Sequence, residues 1–224
     1  NSLAKEGMEN YQNISKTDNY AIVGGREFNK YTTDDGTERW GSVFEDVLED
    51  LNSLGMDLDE KSEYFKATST ISSVQDSYKG SDDFTGKKQE VIGVIKGTNL
   101  TGEQKAYLYD KYYGNSDVVE AMVNLNVDID SFLDYEAQDF TADKYANGKT
   151  VPNSKKRKVF EYINSMPIEF EQRLILAKLQ YPSYNEYNPV IIEYLNNSEM
   201  TYEQEELLLT KLGFKVDENG NIRW

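Results

Sequence analysis

Histidine and cysteine are both missing from the 224 residues. Their absence excludes disulfides, thiolate nucleophiles, imidazole general bases and nearly every zinc, copper or haem site. No apolar run approaches the roughly 20 residues that a membrane-spanning helix needs. Basic charge is also short. Lysine and arginine number 24 against 40 aspartates and glutamates, a formal charge of -16. That excess argues against a nucleic-acid clamp, which requires a net cationic face.

What is present suffices for a core, since 38% of the residues are hydrophobic. The start, Asn1-Ser2-Leu3-Ala4, carries neither an initiator methionine nor a basic-then-apolar leader, as expected of a piece of a longer protein. Residues 1–18 are polar and weakly patterned and read as a flexible arm or linker. From Tyr20 to Trp40 the pattern changes to short strands joined by turns, with Asp35-Gly36 as a hairpin signal. Gly24-Gly25 lacks the flanking pattern of a phosphate loop.

Helical signals take over from Ser42. Ser42 and Glu45 have capping-box spacing, and Val43, Phe44, Val47, Leu48, Leu51 and Leu54 form one apolar stripe that Gly55 stops. Asp57 with Glu60 opens a second helix carrying Leu58, Phe65, Ile71, Val74 and Tyr78 and ending at Gly80.

Beyond residue 84 the chain repeats itself. With an offset of 68, Lys87, Lys88, Val91, Ile95, Glu103, Gln104 and Leu108 meet Lys155, Lys156, Val159, Ile163, Glu171, Gln172 and Leu176. A further copy runs from Ile191 through Glu203-Gln204 to Leu208, and a fainter one from Val118 through Met122, Val127 and Asp130. Each unit reads as a helical hairpin whose second helix opens with a cap and a Glu-Gln pair, as in Thr101/Gln104 and Thr201/Gln204. The pair therefore reads as helix initiation, not as catalytic carboxylates. Gly97, Gly114, Asn126, Pro182 and Gly213 mark helix ends, and Asn188-Pro189 opens a late helix. Ala146-Asn147-Gly148-Lys149 signals a type I′ turn, and Phe214/Val216 with Ile222/Trp224 around Asn219-Gly220 reads as a terminal hairpin.

Candidate chemistry is thin. Asp57/Asp59 and Asp128/Asp130 lack the alternating donors and closing glutamate of a calcium loop, and Asp128 reads as an N-cap. Ser2 and Lys5 have Ser-x-x-Lys spacing but fall in the arm. No cofactor motif and no metal set is expected. The one basic cluster, Lys155-Lys156-Arg157-Lys158, with its earlier counterpart Lys87-Lys88, offers an interaction site for phosphate or an acidic partner, or else a solvated helix start. Seventeen tyrosines suit helix seams and sticky surfaces alike.

The run Asn147-Gly148-Lys149-Thr150, then Ser154-Lys155-Lys156-Arg157-Lys158-Val159-Phe160-Glu161-Tyr162-Ile163-Asn164-Ser165 to Gln180-Tyr181-Pro182, with the closing Asp217-Glu218-Asn219-Gly220-Asn221-Ile222-Arg223-Trp224, resembles the C-terminal helical segments of very large phage and prophage proteins (virion-associated or polyvalent-type) of Gram-positive gut bacteria. The resemblance implies a virion-associated or mobile-element component, cytoplasmic or in the particle, and transfers no activity.

The expected fold is mainly α: an irregular bundle of repeated helix-turn-helix pairs, with a short β segment near the N-terminus and a C-terminal β-hairpin. Its parts are an arm at 1–18, a β segment plus two helices at 19–83, and a repeated helical domain at 84–224. The expected role is a non-enzymatic protein–protein interaction or structural module, the C-terminal part of a larger phage-derived protein, that binds a protein partner or itself, with no membrane or nucleic acid. Alternatives are an acidic DNA mimic or anti-restriction-type protein, which needs carboxylates aligned on one face, and a hydrolase using carboxylates in a pocket.

Overall fold

The computed structural model describes residues 14–114, 116–152 and 154–169, together with 172, 173, 176, 201, 203, 215, 216, 222 and 223. It forms two units, 1–123 and 124–224.

The first unit begins with a sheet. Gly24 and Gly25 both adopt positive φ, 57° and 77°, as a two-residue type I′ turn demands. They fold β2 (Tyr20–Val23) back on β3 (Arg26–Thr32), pairing Val23 with Arg26 and Tyr20 with Asn29. At Thr33–Gly36 the Gly36 amide donates to the Thr33 carbonyl at 2.8 Å, Asp35 accepts from the Thr37 amide, and the chain returns as β4 (Glu38–Ser42). β1 (Ile14–Lys16) pairs antiparallel with β2 and completes a meander in the order β1-β2-β3-β4.

This sheet overturns the expectation of a mainly α bundle with a short β segment: the fold combines a four-stranded antiparallel sheet with helices. β1 lies inside the weakly patterned residues 1–18, where three residues, Ile-Ser-Lys, are too short to show alternation.

Helix α1 (Glu45–Ser53) follows. Ser42 does not cap it, because Ser42 is paired with Phe28 in the sheet; the N-cap is Phe44, which offers no side-chain bond. Nor does Phe44 join the apolar stripe, being 77% exposed, while Leu51 is fully buried. Gly55 (φ 66°) then reverses the chain and Asp57 opens α2 (Leu58–Ser77) with a full capping box to Glu60. Asp83 caps α3 (Phe84–Lys96), and Thr101 with Gln104 forms the capping box of α4 (Gly102–Tyr113). Ile71, Val91, Ile92, Ile95 and Leu108 close the core between these helices, each contributing about 1.5–3 kcal/mol by burial. One face of the sheet rests on α2: Tyr20 stacks on Phe65 at 5.8 Å, the Asn19 amide donates to Ser62 Oγ, and Lys61 pairs with Glu27 at 3.2 Å.

Helix α5 (Ser116–Asn124) runs into the second unit, where Asn126 (φ 54°) turns the chain and Asp128 caps α6 (Ile129–Glu136) by accepting from the Ser131 amide. After residues 137–153 comes α7 (Ser154–Ser165). Phe132, Leu133, Val159, Ile163 and Leu176 are buried in this unit, and Tyr135, Phe140 and Tyr162 pack mutually with centroids 5.4–6.0 Å apart. The expected type I′ turn takes another form. Gly148 alone has positive φ, its amide donates to the Tyr145 carbonyl at 2.8 Å, and Lys144 bridges Thr150. This is a type I turn closed by a glycine bulge.

Placing these elements side by side exposes a longer duplication than the helical hairpins alone. With an offset of 71, Leu51, Leu54, Gly55, Met56, Asp57, Leu58 and Tyr64 meet Met122, Leu125, Asn126, Val127, Asp128, Ile129 and Tyr135. Both turns place a left-handed residue directly before a buried apolar residue and an aspartate cap.

Lys215–Val216 pairs antiparallel with Ile222–Arg223. The Asn219-Gly220 turn expected between them, the copy from Ile191, the Thr201/Gln204 box, the helix at Asn188-Pro189, the stops at Pro182 and Gly213, and Trp224 lie outside the described residues, wholly or in part.

Candidate interaction surface

Alternation along the strands sorts the sheet into two faces. Tyr20, Glu27 and Asn29 belong to the face that meets α2. The registers Ile14↔Val23, Lys16↔Ala21, Ala21↔Phe28, Val23↔Arg26 and Lys30↔Trp40 place the other set together. Here Ile14, Ala21, Val23, Phe28 and Trp40, with the Lys16 stem, line a shallow apolar depression of about 340 Å³, and among the described residues its lining comes from the sheet alone. Trp40 is 38% exposed, and Ile14 and Val23 are exposed beside it.

Charge on this face is opposite to that of the chain. Lys30, directly across the ladder from Trp40, holds its ammonium 5.8 Å from the indole; Lys16, from the far edge strand, holds its own at 5.3 Å. Arg26 shares the face, and among the described strand residues Glu38 is its one acid, pairing with Lys30 at 3.5 Å. Two ammonium groups over one ring attract its π-cloud but repel each other.

On the α2 side, a second cleft of about 410 Å³ lies between the β3–β4 hairpin and α2, lined by Asn29, Tyr31, Asp34, Thr68, Ser69 and Asp76 among others. Several of its hydroxyls are already engaged: Thr68 donates to Phe65 O, Ser73 to Ser69 O, and Thr33 to Asp35 and Thr37 O. It is a polar seam with local hydrogen bonds.

The basic cluster is partly neutralised from within. Arg157 pairs with Asp143 at 3.1 Å and approaches Glu161 at 3.8 Å; Lys158 bonds both Asp143 and the Thr141 carbonyl. These cations hold the Asp143 carboxyl below its usual range, the Lys158 bond contributing most. Lys155 is exposed, and the Lys156 side chain is outside the described set. Lys87 sits over Phe84 at 5.5 Å, and Lys88 over Tyr109 and Tyr113 at 5.7 and 5.2 Å.

Of the recurrent Glu-Gln pair, Glu103 is exposed and Gln104 is 2% exposed. Gln104 accepts from the Thr101 amide through Oε1 and donates through Nε2 to Leu54 O; Gln172 accepts from the Glu169 amide and donates to Leu125 O. The pair is thus a helix start whose glutamine also ties a helix end. No group of three or more Asp or Glu placed to hold a metal ion occurs among the described residues, and no described helix is long and apolar enough to cross a membrane.

Sequence reading singled out the lysines and passed over Trp40, Phe28, Lys16 and Lys30. Those four lie on three strands, and only the register makes them neighbours. Comparison of the chain with family models, curated proteins and solved structures gives no match.

Proposed function

We propose that the chain is a non-enzymatic interaction module and that the Trp40 face of its sheet is the docking surface. The observation carrying this reading is asymmetry. One face of the sheet is bolted to α2 by Tyr20, Glu27 and Asn19, while the other presents an indole, a phenylalanine and aliphatic side chains with three cations around them. An aromatic anchor framed by polar groups is the usual composition of an interface centre. The partner chemistry is an acidic polypeptide segment bearing an aromatic or large aliphatic side chain, the apolar group filling the depression and carboxylates meeting Lys16, Arg26 and Lys30. The resemblance of residues 147–182 to large phage and prophage proteins, virion-associated or polyvalent-type, is in keeping with an interaction module.

Selection of displayed random peptides on the immobilised full chain tests this, with Trp40→Ser as counter-selection. Enriched peptides should combine an aromatic residue with aspartate or glutamate, and binding should fall about 30-fold or more in Trp40→Ser, the loss of a hot-spot anchor. Peptides that bind both proteins equally overturn the reading.

A further inference from the structure

The chain carries a candidate ligand for its own docking face. Phe44 occupies the N-cap of α1, a position where serine, threonine or aspartate contributes about 1 kcal/mol, and it provides no cap. It is 77% exposed and makes no ring or cation contact among the described residues. Neither helix initiation nor the core therefore accounts for it. Glu45 and Asp46 follow in the first turn of α1, with Glu49 one turn on. Phe44 is thus an exposed aromatic side chain with three acidic residues close after it in sequence, the chemistry that the Trp40 face fits.

Its position says which molecule it serves. β4 continues past Ser42, since the Val43 amide donates to Glu27 O at 3.0 Å, and Phe44 is itself extended (φ -67°, ψ 146°). Alternation puts Trp40, Ser42 and Phe44 on one side of this strand, the two aromatics about 13 Å apart along it. Within one chain, Phe44 stays exposed and does not fill the depression. A two-fold axis near Ser42 would bring each copy's Phe44 to the other's Trp40, and the acids at the start of each α1 towards the other's lysines. Because the aromatic and its socket adjoin, the arrangement closes as an isologous dimer. Among the described residues, the other strongly exposed phenylalanine, Phe84, has Lys87 over its ring, so it would bring like charge to Lys16 and Lys30.

Resting on the docking reading above, we infer that the occupant of the Trp40 face is Phe44 of a second copy of this chain, in a reciprocal dimer.

Sedimentation of the full chain across micromolar concentrations tests it, using Phe44→Ser and Trp40→Ser, with circular dichroism to verify that both remain folded. Each variant alone should lose both contacts and sediment as a monomer. Mixed together they should form a heterodimer, because one intact Phe44 then faces one intact Trp40; its affinity should lie between those of the parent and the variants and fall several-fold from 50 to 500 mM salt. Phe44→Ser should still bind the acidic aromatic peptides. A wild-type monomer that binds those peptides at Trp40 overturns the dimer and leaves the docking face standing. A dimer that survives both substitutions also overturns the inference. Loss of peptide binding together with absence of a dimer overturns both readings.

Discussion

The carboxamide of Gln104 reaches the Leu54 carbonyl at 3.3 Å across 50 residues of chain, and Gln172 repeats the contact to Leu125 at 2.8 Å across 47. Each carbonyl directly precedes the left-handed residue that ends a helical turn, Gly55 in one unit and Asn126 in the other. A single side chain thus serves one helix start and one helix end, groups that otherwise lack intrahelical partners. Gln104→Ala should destabilise the first unit by about 1–3 kcal/mol, the cost of stranding buried polar groups. Urea unfolding measures it; an unchanged midpoint would show that water replaces both bonds without loss.

The two left-handed positions respond differently to alanine and glycine. A Cβ on Gly55 meets nothing within 4 Å, so the cost of Gly55→Ala is conformational, about 1–2 kcal/mol. Asn126→Ala should cost a similar amount, and Asn126→Gly should be neutral or stabilising. Thermal melts of the three variants decide this. Destabilisation by Asn126→Gly would mean that the asparagine side chain holds the turn.

Lys61 and Glu27 form an ion pair with side chains 9% and 19% exposed, and it joins the sheet to α2. Lys61→Met should strand the carboxylate and cost roughly 3–5 kcal/mol, whereas Lys61→Met with Glu27→Leu should recover most of it. A double-mutant cycle read by urea unfolding gives the coupling; additive losses would deny that the pair acts as a unit.

Alkali should act on the first unit. Burial pushes the Tyr64 hydroxyl up to about 12, and also raises Tyr20, Tyr107, Tyr112 and Tyr113. Each group holds its proton more tightly folded than unfolded. The stabilisation is therefore complete below the ordinary tyrosine value of 10.0 and is lost as pH rises through the raised values. Tyrosinate absorbance should climb together with loss of helical dichroism above pH 10. A smooth titration near 10 with dichroism unchanged would contradict it. Asp143 has the opposite sign: its contribution is present above pH 3.8 and fades as acid protonates it.

Much of this was legible in the residues. The caps at Asp57, Thr101 and Asp128 and the stop at Gly55 are local chemistry, and local chemistry is written in adjacent letters. The buried Val91/Val159, Ile95/Ile163 and Leu108/Leu176 follow the repeat. The sheet and its face were not legible in the same way. β1 is three residues long, and Trp40 meets Lys16 only through two intervening strands. Phe44 misled because its spacing fits the α1 stripe, while strand pairing up to Val43 holds it outside the helix.

The duplication has a consequence at α2. Its three sheet-holding residues, Lys61, Ser62 and Phe65, correspond by the 71-residue offset to Phe132, Leu133 and Glu136. Where the first copy offers an ion, a hydroxyl and a ring, the second turns two of those positions inward as hydrocarbon, and α6 stops after 8 residues where α2 runs for 20. Similar frames thus carry different loads: one presents a bracket for a β attachment, and the other fills the same positions with the hydrocarbon of its own interior. Grafting Lys, Ser and Phe onto the second frame would spoil its packing before it gained a passenger.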